Sequence, residues 1–232
     1  MSERPVAKEQ FLAVKALGPG AAPLEETFAG GGLRGVLHHP RHPNGGALAL
    51  THGAGSNCHA PLLVRLARAF AEAGLLVLRY DLPFRQRRAQ GPPVPAAAAR
   101  DREGVERAVE MLRSRVPGRV VAGGHSYGGR QTAMAAAANP QMADALLLLS
   151  YPLHPPNQPE KPRTAFFPDW RTPALFVHGS HDPFGTLEEM RHALPQIPAR
   201  VELMPVEGAG HDLQCATLAP AVVERLRRLV LF

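Results

Sequence analysis

Long apolar runs are missing from this 232-residue chain; the longest, 133–138, holds six residues. That is far short of the ~18 needed to cross a bilayer. The opening MSERPVAKEQ mixes charges where a secretory leader requires an apolar stretch. Membrane insertion and secretion are therefore not expected, and a cytoplasmic location is. Cysteine is nearly absent. Cys58 and Cys215 are too few for a disulfide framework and suit a reducing compartment. A single bridge between them and a pair of small buried thiols both remain open. Paired cysteines and helical H-x-x-x-H spacings are lacking too, so no metal and no cofactor is expected. Charge is one-sided but diffuse: 26 basic residues against 20 acidic ones give a net +6. The arginines are scattered apart from a cluster at Arg85, Arg87 and Arg88. No basic stripe interleaved with aromatics appears, so a nucleic-acid partner is not expected.

What is present is an ordinary globular mix, 45% hydrophobic and 20% charged. The length suits a single α/β domain spanning 1–232, with 1–24 as an N-terminal extension or first edge strand. Proline is the excess: 24 residues, roughly twice the usual share. Short apolar runs at 33–38, 47–51, 75–80, 119–122, 145–150, 174–178 and 201–206 read as strands. Several, such as ALAL, LLVL and ALLLL, are apolar on both faces, the pattern of a parallel sheet covered on each side. Segments at 60–73, 96–115, 127–138, 187–194 and 216–229 carry a helical period. Alternation of the two predicts a doubly wound, mostly parallel α/β sheet with helices on both faces. Ligand sites in such sheets lie beyond the carboxyl ends of the strands.

Those ends carry the chemistry. The run RVVA leads into Gly124-His125-Ser126-Tyr127-Gly128 and then a helical pattern, a G-x-S-x-G turn in strand-turn-helix context. So sharp a turn places Ser126 at positive φ and leaves no room for side chains at 124 and 128. Alone the motif is short and recurs by chance in glycine-rich chains. A serine hydroxyl also needs a histidine to take its proton and a carboxylate to set that histidine's tautomer. Asp182 follows the strand ALFVH and His211 follows VELMPV, so all three residues sit at the same sheet edge in the order Ser, Asp, His. Asp212 reads as a cap of the last helix and His181 as a solvated loop residue. An oxyanion needs two backbone N–H donors. Tyr127, directly after the serine, and Ala54, in the small-residue loop His52-Gly53-Ala54-Gly55, are the candidates.

THGAGSN, LRYDLPF, GGHSYGGR, SYPLHPPNQPEKPRT, LFVHGSHDPFG and GAGHDL together resemble an α/β-hydrolase. More narrowly they are similar to the dienelactone-hydrolase-like family that includes the testis-expressed and NSL-complex hydrolase-like proteins. The resemblance runs from about Leu33 onward. It implies an α/β-hydrolase fold, Ser126, Asp182 and His211 as a catalytic triad, and Ala54 with Tyr127 as the oxyanion hole. Dienelactone hydrolase itself uses a cysteine nucleophile, and this chain has Ser126. Some family members act as subunits of complexes, which sets a non-catalytic scaffold beside the enzyme reading.

Only 151–171 separates the sixth and seventh strand segments, and its six prolines forbid a long helix, so no large lid domain is expected. Tyr151 and His154 fall where pocket walls form. Arg85 leaves a strand end at the same edge, where it either meets an anionic group of a small acyl substrate or belongs to a solvated basic rim.

Overall fold

The computed structural model describes residues 23–156 and 158–230. Eight strands form one sheet: β1 (Leu24–Gly30), β2 (Leu33–His39), β3 (Ala47–Thr51), β4 (Leu76–Tyr80), β5 (Val120–His125), β6 (Ala145–Leu149), β7 (Ala174–Gly179) and β8 (Val201–Val206). Their spatial order is β1-β2-β4-β3-β5-β6-β7-β8. β2 pairs antiparallel with β1 and β4, and every other pairing is parallel. Six helices cover it: α1 (Pro61–Glu72), α2 (Pro83–Arg87), α3 (Ala98–Arg113), α4 (Tyr127–Ala138), α5 (Leu187–Ala193) and α6 (Leu218–Val230).

The two-sided apolar runs are the buried central strands, with every residue of β3, β6 and β7 inside. Side chains alternate across each strand. Leu48 and Leu50 of β3 pack with Leu66 and Phe70 of α1 and Leu226 of α6. Ala47 and Ala49 face the other layer, with Val105 and Leu112 of α3 and Ala133 of α4. Each fully buried leucine contributes roughly 1.5–3 kcal/mol, so truncating one central side chain such as Leu66 is enough to endanger the fold. α1 starts on Pro61 and stops at Gly74, whose φ of 100° lets the next amide, Leu75 N–H, fold back onto Phe70 C=O at 3.1 Å.

Two elements were not anticipated. β1 is almost wholly exposed, and its two large apolar residues, Leu24 and Phe28, are too few to mark it as a strand. It exists because Gly31 and Gly32, both at positive φ, make a two-residue turn that lays it along β2. It begins where the expected N-terminal extension or edge strand ends; residues 1–22 lie outside the described residues. α2 is five residues long, and its Phe84 N–H finds a partner in Asp101 Oδ1 on α3 at 2.9 Å. Among the described residues the crossing from β6 to β7 contains a single 3₁₀ turn, Phe167–Asp169, and no lid domain. Among the described residues no helix is long and apolar enough to cross a membrane.

Candidate active site

β5 enters a turn at Ser126, which has φ 51° and ψ −116° and directly precedes α4. This is a strained conformation for a residue with a side chain, costing on the order of 1–3 kcal/mol. Backbone bonds hold it: Ser126 N–H donates to Leu149 C=O at 2.8 Å, and Arg130 N–H donates to Ser126 C=O at 2.9 Å. A Cβ on Gly124 would lie 2.7 Å from the Gly128 carbonyl carbon, and one on Gly128 would lie 2.5 Å from the His52 oxygen. The two glycines are required because three backbone segments meet there.

The loops after β7 and β8 bring their residues to this serine. His211 Nε2 lies 2.8 Å from Ser126 Oγ. On the opposite side of the ring, Nδ1 is 3.0 Å and 2.9 Å from the two Asp182 oxygens. A carboxylate only accepts, so Nδ1 carries the proton and Nε2 is left to accept from the serine hydroxyl. Burial by itself raises the Asp182 pKa. The His211 bond and charge, with the Phe184 N–H at 2.9 Å, outweigh it, and the net shift is downward. Asp182 therefore stays anionic. The Phe184 ring backs His211 at 4.3 Å between centroids. Beneath them, the buried His178 donates from Nε2 to Gly185 C=O at 2.7 Å, with Asp182 Oδ2 3.8 Å away.

The loop 52–56 is built to aim one amide. Gly53 C=O accepts from His52 Nδ1–H at 2.8 Å and from Ser56 N–H at 3.1 Å. In a trans peptide this turns the Ala54 N–H the other way. His52 Nε2 in turn accepts from Leu82 N–H at 3.1 Å, and Asp81 Oδ1 accepts from Cys58 N–H at 2.8 Å. Tyr127 N–H is a first-turn amide of α4 and so has no partner within the helix. Neither the Ala54 nor the Tyr127 amide has a hydrogen-bond partner among the described residues.

Other expected positions are used differently. Arg85 is 3% exposed, and its guanidinium donates to the carbonyls of Ala54 (2.7 Å), Gly91 (3.0 Å) and Arg88 (3.2 Å). It braces the Ala54 loop instead of reaching toward substrate; Arg87 and Arg88 are the exposed members of the cluster. Tyr151 is fully buried, donates to Arg163 C=O at 2.8 Å and packs on Phe167 and Phe176, so it is core and not pocket wall. His154 lines a separate cavity of about 450 Å³ to which neither Ser126, Asp182 nor His211 contributes. Asp212 lies six positions before α6 and bonds Gln214, so it does not cap that helix. Both cysteines are free: Cys58 is buried and Cys215 partly exposed. Sequence reasoning passed over His125, whose Nε2 sits 2.8 Å from the His211 main-chain oxygen. A histidine in the variable slot of an elbow carries no signal until its partner is seen.

The profile of the alpha/beta hydrolase domain family matches residues 44–224. The chain belongs to this family. This α/β-hydrolase is similar in structure to dienelactone hydrolase from Anabaena variabilis ATCC 29413, with 22% identity, a TM-score of 0.69, and coverage of 91% of this chain and 98% of that one. It is similar also to Est1E from Butyrivibrio proteoclasticus, at 17% identity and TM-score 0.67, covering 91% and 100%. A third likeness is to a lidless α/β serine hydrolase from Xanthomonas campestris, at 18% identity and TM-score 0.67, covering 93% and 98%. No curated protein matches this hydrolase in a sequence comparison.

Proposed function

We propose that this α/β-hydrolase is a cofactor-independent serine hydrolase that cleaves an ester or related acyl bond of a small substrate. One observation carries the reading: the unbroken chain from Ser126 Oγ through the His211 ring to Asp182, at 2.8 Å and 2.9 Å. In this reaction Ser126 Oγ attacks the acyl carbon as His211 Nε2 takes its proton. Asp182 stabilises the imidazolium, and the Ala54 and Tyr127 amides hold the oxyanion. His211 returns the proton to the departing alcohol, leaving an acyl-Ser126 ester. Water, deprotonated by the same histidine, then releases the acid and restores the serine.

The lidless crossing between β6 and β7 supports an open site for small acyl compounds over interfacial lipids. With Arg85 bonded to carbonyls, an anionic group on the substrate draws no support from that residue. The motifs THGAGSN and GGHSYGGR support placing the chain with the testis-expressed and NSL-complex hydrolase-like proteins of the dienelactone-hydrolase-like group. The free thiols of Cys58 and Cys215 support a cytoplasmic setting.

A fluorophosphonate probe tests the reaction. Native protein is expected to label at Ser126, the Ser126→Ala protein not at all, and Asp182→Asn to lose about 10⁴-fold in turnover of an activated ester. Folded native protein that takes no label would instead favour a scaffold on a hydrolase fold.

A further inference from the structure

A cavity of about 570 Å³ lies between the loop that carries Ala54 and the segment that follows His211, floored by the start of α1. Gly53, Leu62, Leu63, His125, Cys215 and Ala216 are among its walls. The volume falls within the range of small-molecule sites, and most of the lining is carbon with a few polar groups, as such sites require. Ser126, His211 and Asp182 do not line it themselves; chain neighbours of the site do, His125 before the serine, Asp212 after the base and Gly53 before Ala54. A Cβ on Gly53 would stand 3.4 Å from Ser126 Cβ and 3.0 Å from His125 Nδ1, so the wall that Gly53 and His125 make lies directly against the serine. His125 has its Nε2–H committed to the His211 oxygen, and its unprotonated Nδ1 lies on the Gly53 side. Asp212, the acid of the lining, is tied to Gln214.

We propose that this cavity receives an apolar group of the substrate, an alkyl or aryl chain of the ester, while its carbonyl sits between Ser126 and the Ala54 and Tyr127 amides. The assignment rests on the serine-hydrolase reading for its chemistry and on the cavity for its specificity. Its occupant is either the acyl chain or the alcohol, and both present the same carbon surface. Each methylene withdrawn from water adds roughly three- to fourfold in affinity.

Cys215 provides a native reporter. It is partly exposed on the lining, and hydrogen bonds from Thr217 and Leu218 lower its thiol pKa, whereas burial pushes Cys58 up to about 12 and leaves it inert. In Ser126→Ala protein, which does not turn over, N-ethylmaleimide alkylation of Cys215 is followed by mass spectrometry. Hexyl acetate or methyl hexanoate should slow it at least fivefold, and methyl acetate should not. In native protein, kcat/KM is compared across p-nitrophenyl acetate, butyrate and hexanoate, and across the acetates of methanol, butanol and hexanol. One series should climb at least tenfold and flatten in Ala216→Trp; the series that climbs identifies the occupant. Protection of Cys215 without any ester turnover upholds the cavity and removes the hydrolase reading. Fluorophosphonate labelling of Ser126 with unprotected Cys215 and two flat series overturns the cavity alone.

Discussion

His125 donates its Nε2–H to the main-chain oxygen of His211 at 2.8 Å, with the two rings 5.0 Å apart. The residue before the serine thus grips the loop that supplies its base. Burial pushes the His125 pKa down to about 4, so the ring is neutral and its donor nitrogen is assigned by the carbonyl it meets. Removing this grip in His125→Ala should lower kcat about tenfold, as expected for a base displaced by a fraction of an ångström. His125→Gln, whose amide nitrogen can reach the same oxygen, should recover most of it. Equal rates in His125→Ala and native protein would show the bond to be idle.

Arg85 offers a test that separates bracing from substrate contact. Replacement by methionine strips a donor from the Ala54, Gly91 and Arg88 carbonyls, for an expected loss of about 2–4 kcal/mol in stability. Turnover should fall by the same factor for a neutral acetate ester and an anionic succinate ester. Selective loss of the anionic ester would return Arg85 to the substrate.

The elbow glycines should tolerate nothing larger. Gly128→Ala places a methyl 2.5 Å from the His52 oxygen and 2.8 Å from Thr51 Cγ2. Backbone must move, at an expected cost of about 2–3 kcal/mol or more. Gly55→Ala is the contrast: its Cβ meets nothing within 4 Å, so its melting temperature should stay within a degree or two of native. Thermal melts of the two variants side by side decide the point.

Acid should weaken the fold through its buried histidines. His38 Nε2 accepts from Arg79 Nε at 2.6 Å, and His52 Nε2 accepts from Leu82 N–H at 3.1 Å, so both must be neutral. Burial pushes His38 and His125 to about 4 and depresses His52 and His178. The unfolded chain binds these protons near pH 6.5, whereas in the native one His38 and His125 take them only near 4 and His52 and His178 below their ordinary value. Stability is therefore full above about pH 6.5 and falls as pH drops toward 4, by roughly 1.4 kcal/mol per pH unit for each of His38 and His125, with His52 and His178 adding in the same direction. Asp182, with its lowered pKa, extends the loss further into acid. Urea titrations between pH 5 and 8 should show this slope, shallower in His38→Gln; an unchanged slope there would exclude His38.

The central strands were legible because ALAL and ALLLL are apolar at every position, as a sheet covered on both sides demands. The end of β5 was not. Gly123-Gly124-His125 look like loop, yet they continue the ladder beside Leu147, Leu148 and Leu149 because β6 holds them there. α2 was hidden for a similar reason, its first amide being satisfied by Asp101 from another helix.

Residue type and chain order by themselves determined the alternation of strands and helices, the glycine-flanked serine, and the placing of Asp182 and His211 at the same sheet edge. These follow from local steric rules and from side-chain period, which the chain carries in its own letters. Only the tertiary structure decided what those side chains touch. It closed the 2.8 Å contact between Ser126 and His211 across 85 positions, turned Arg85 inward onto Ala54, and left a carbon-lined space beside Gly53. A hydrogen bond of 3 Å depends on atoms brought together by packing from distant parts of the chain, and no spacing along the sequence records that distance.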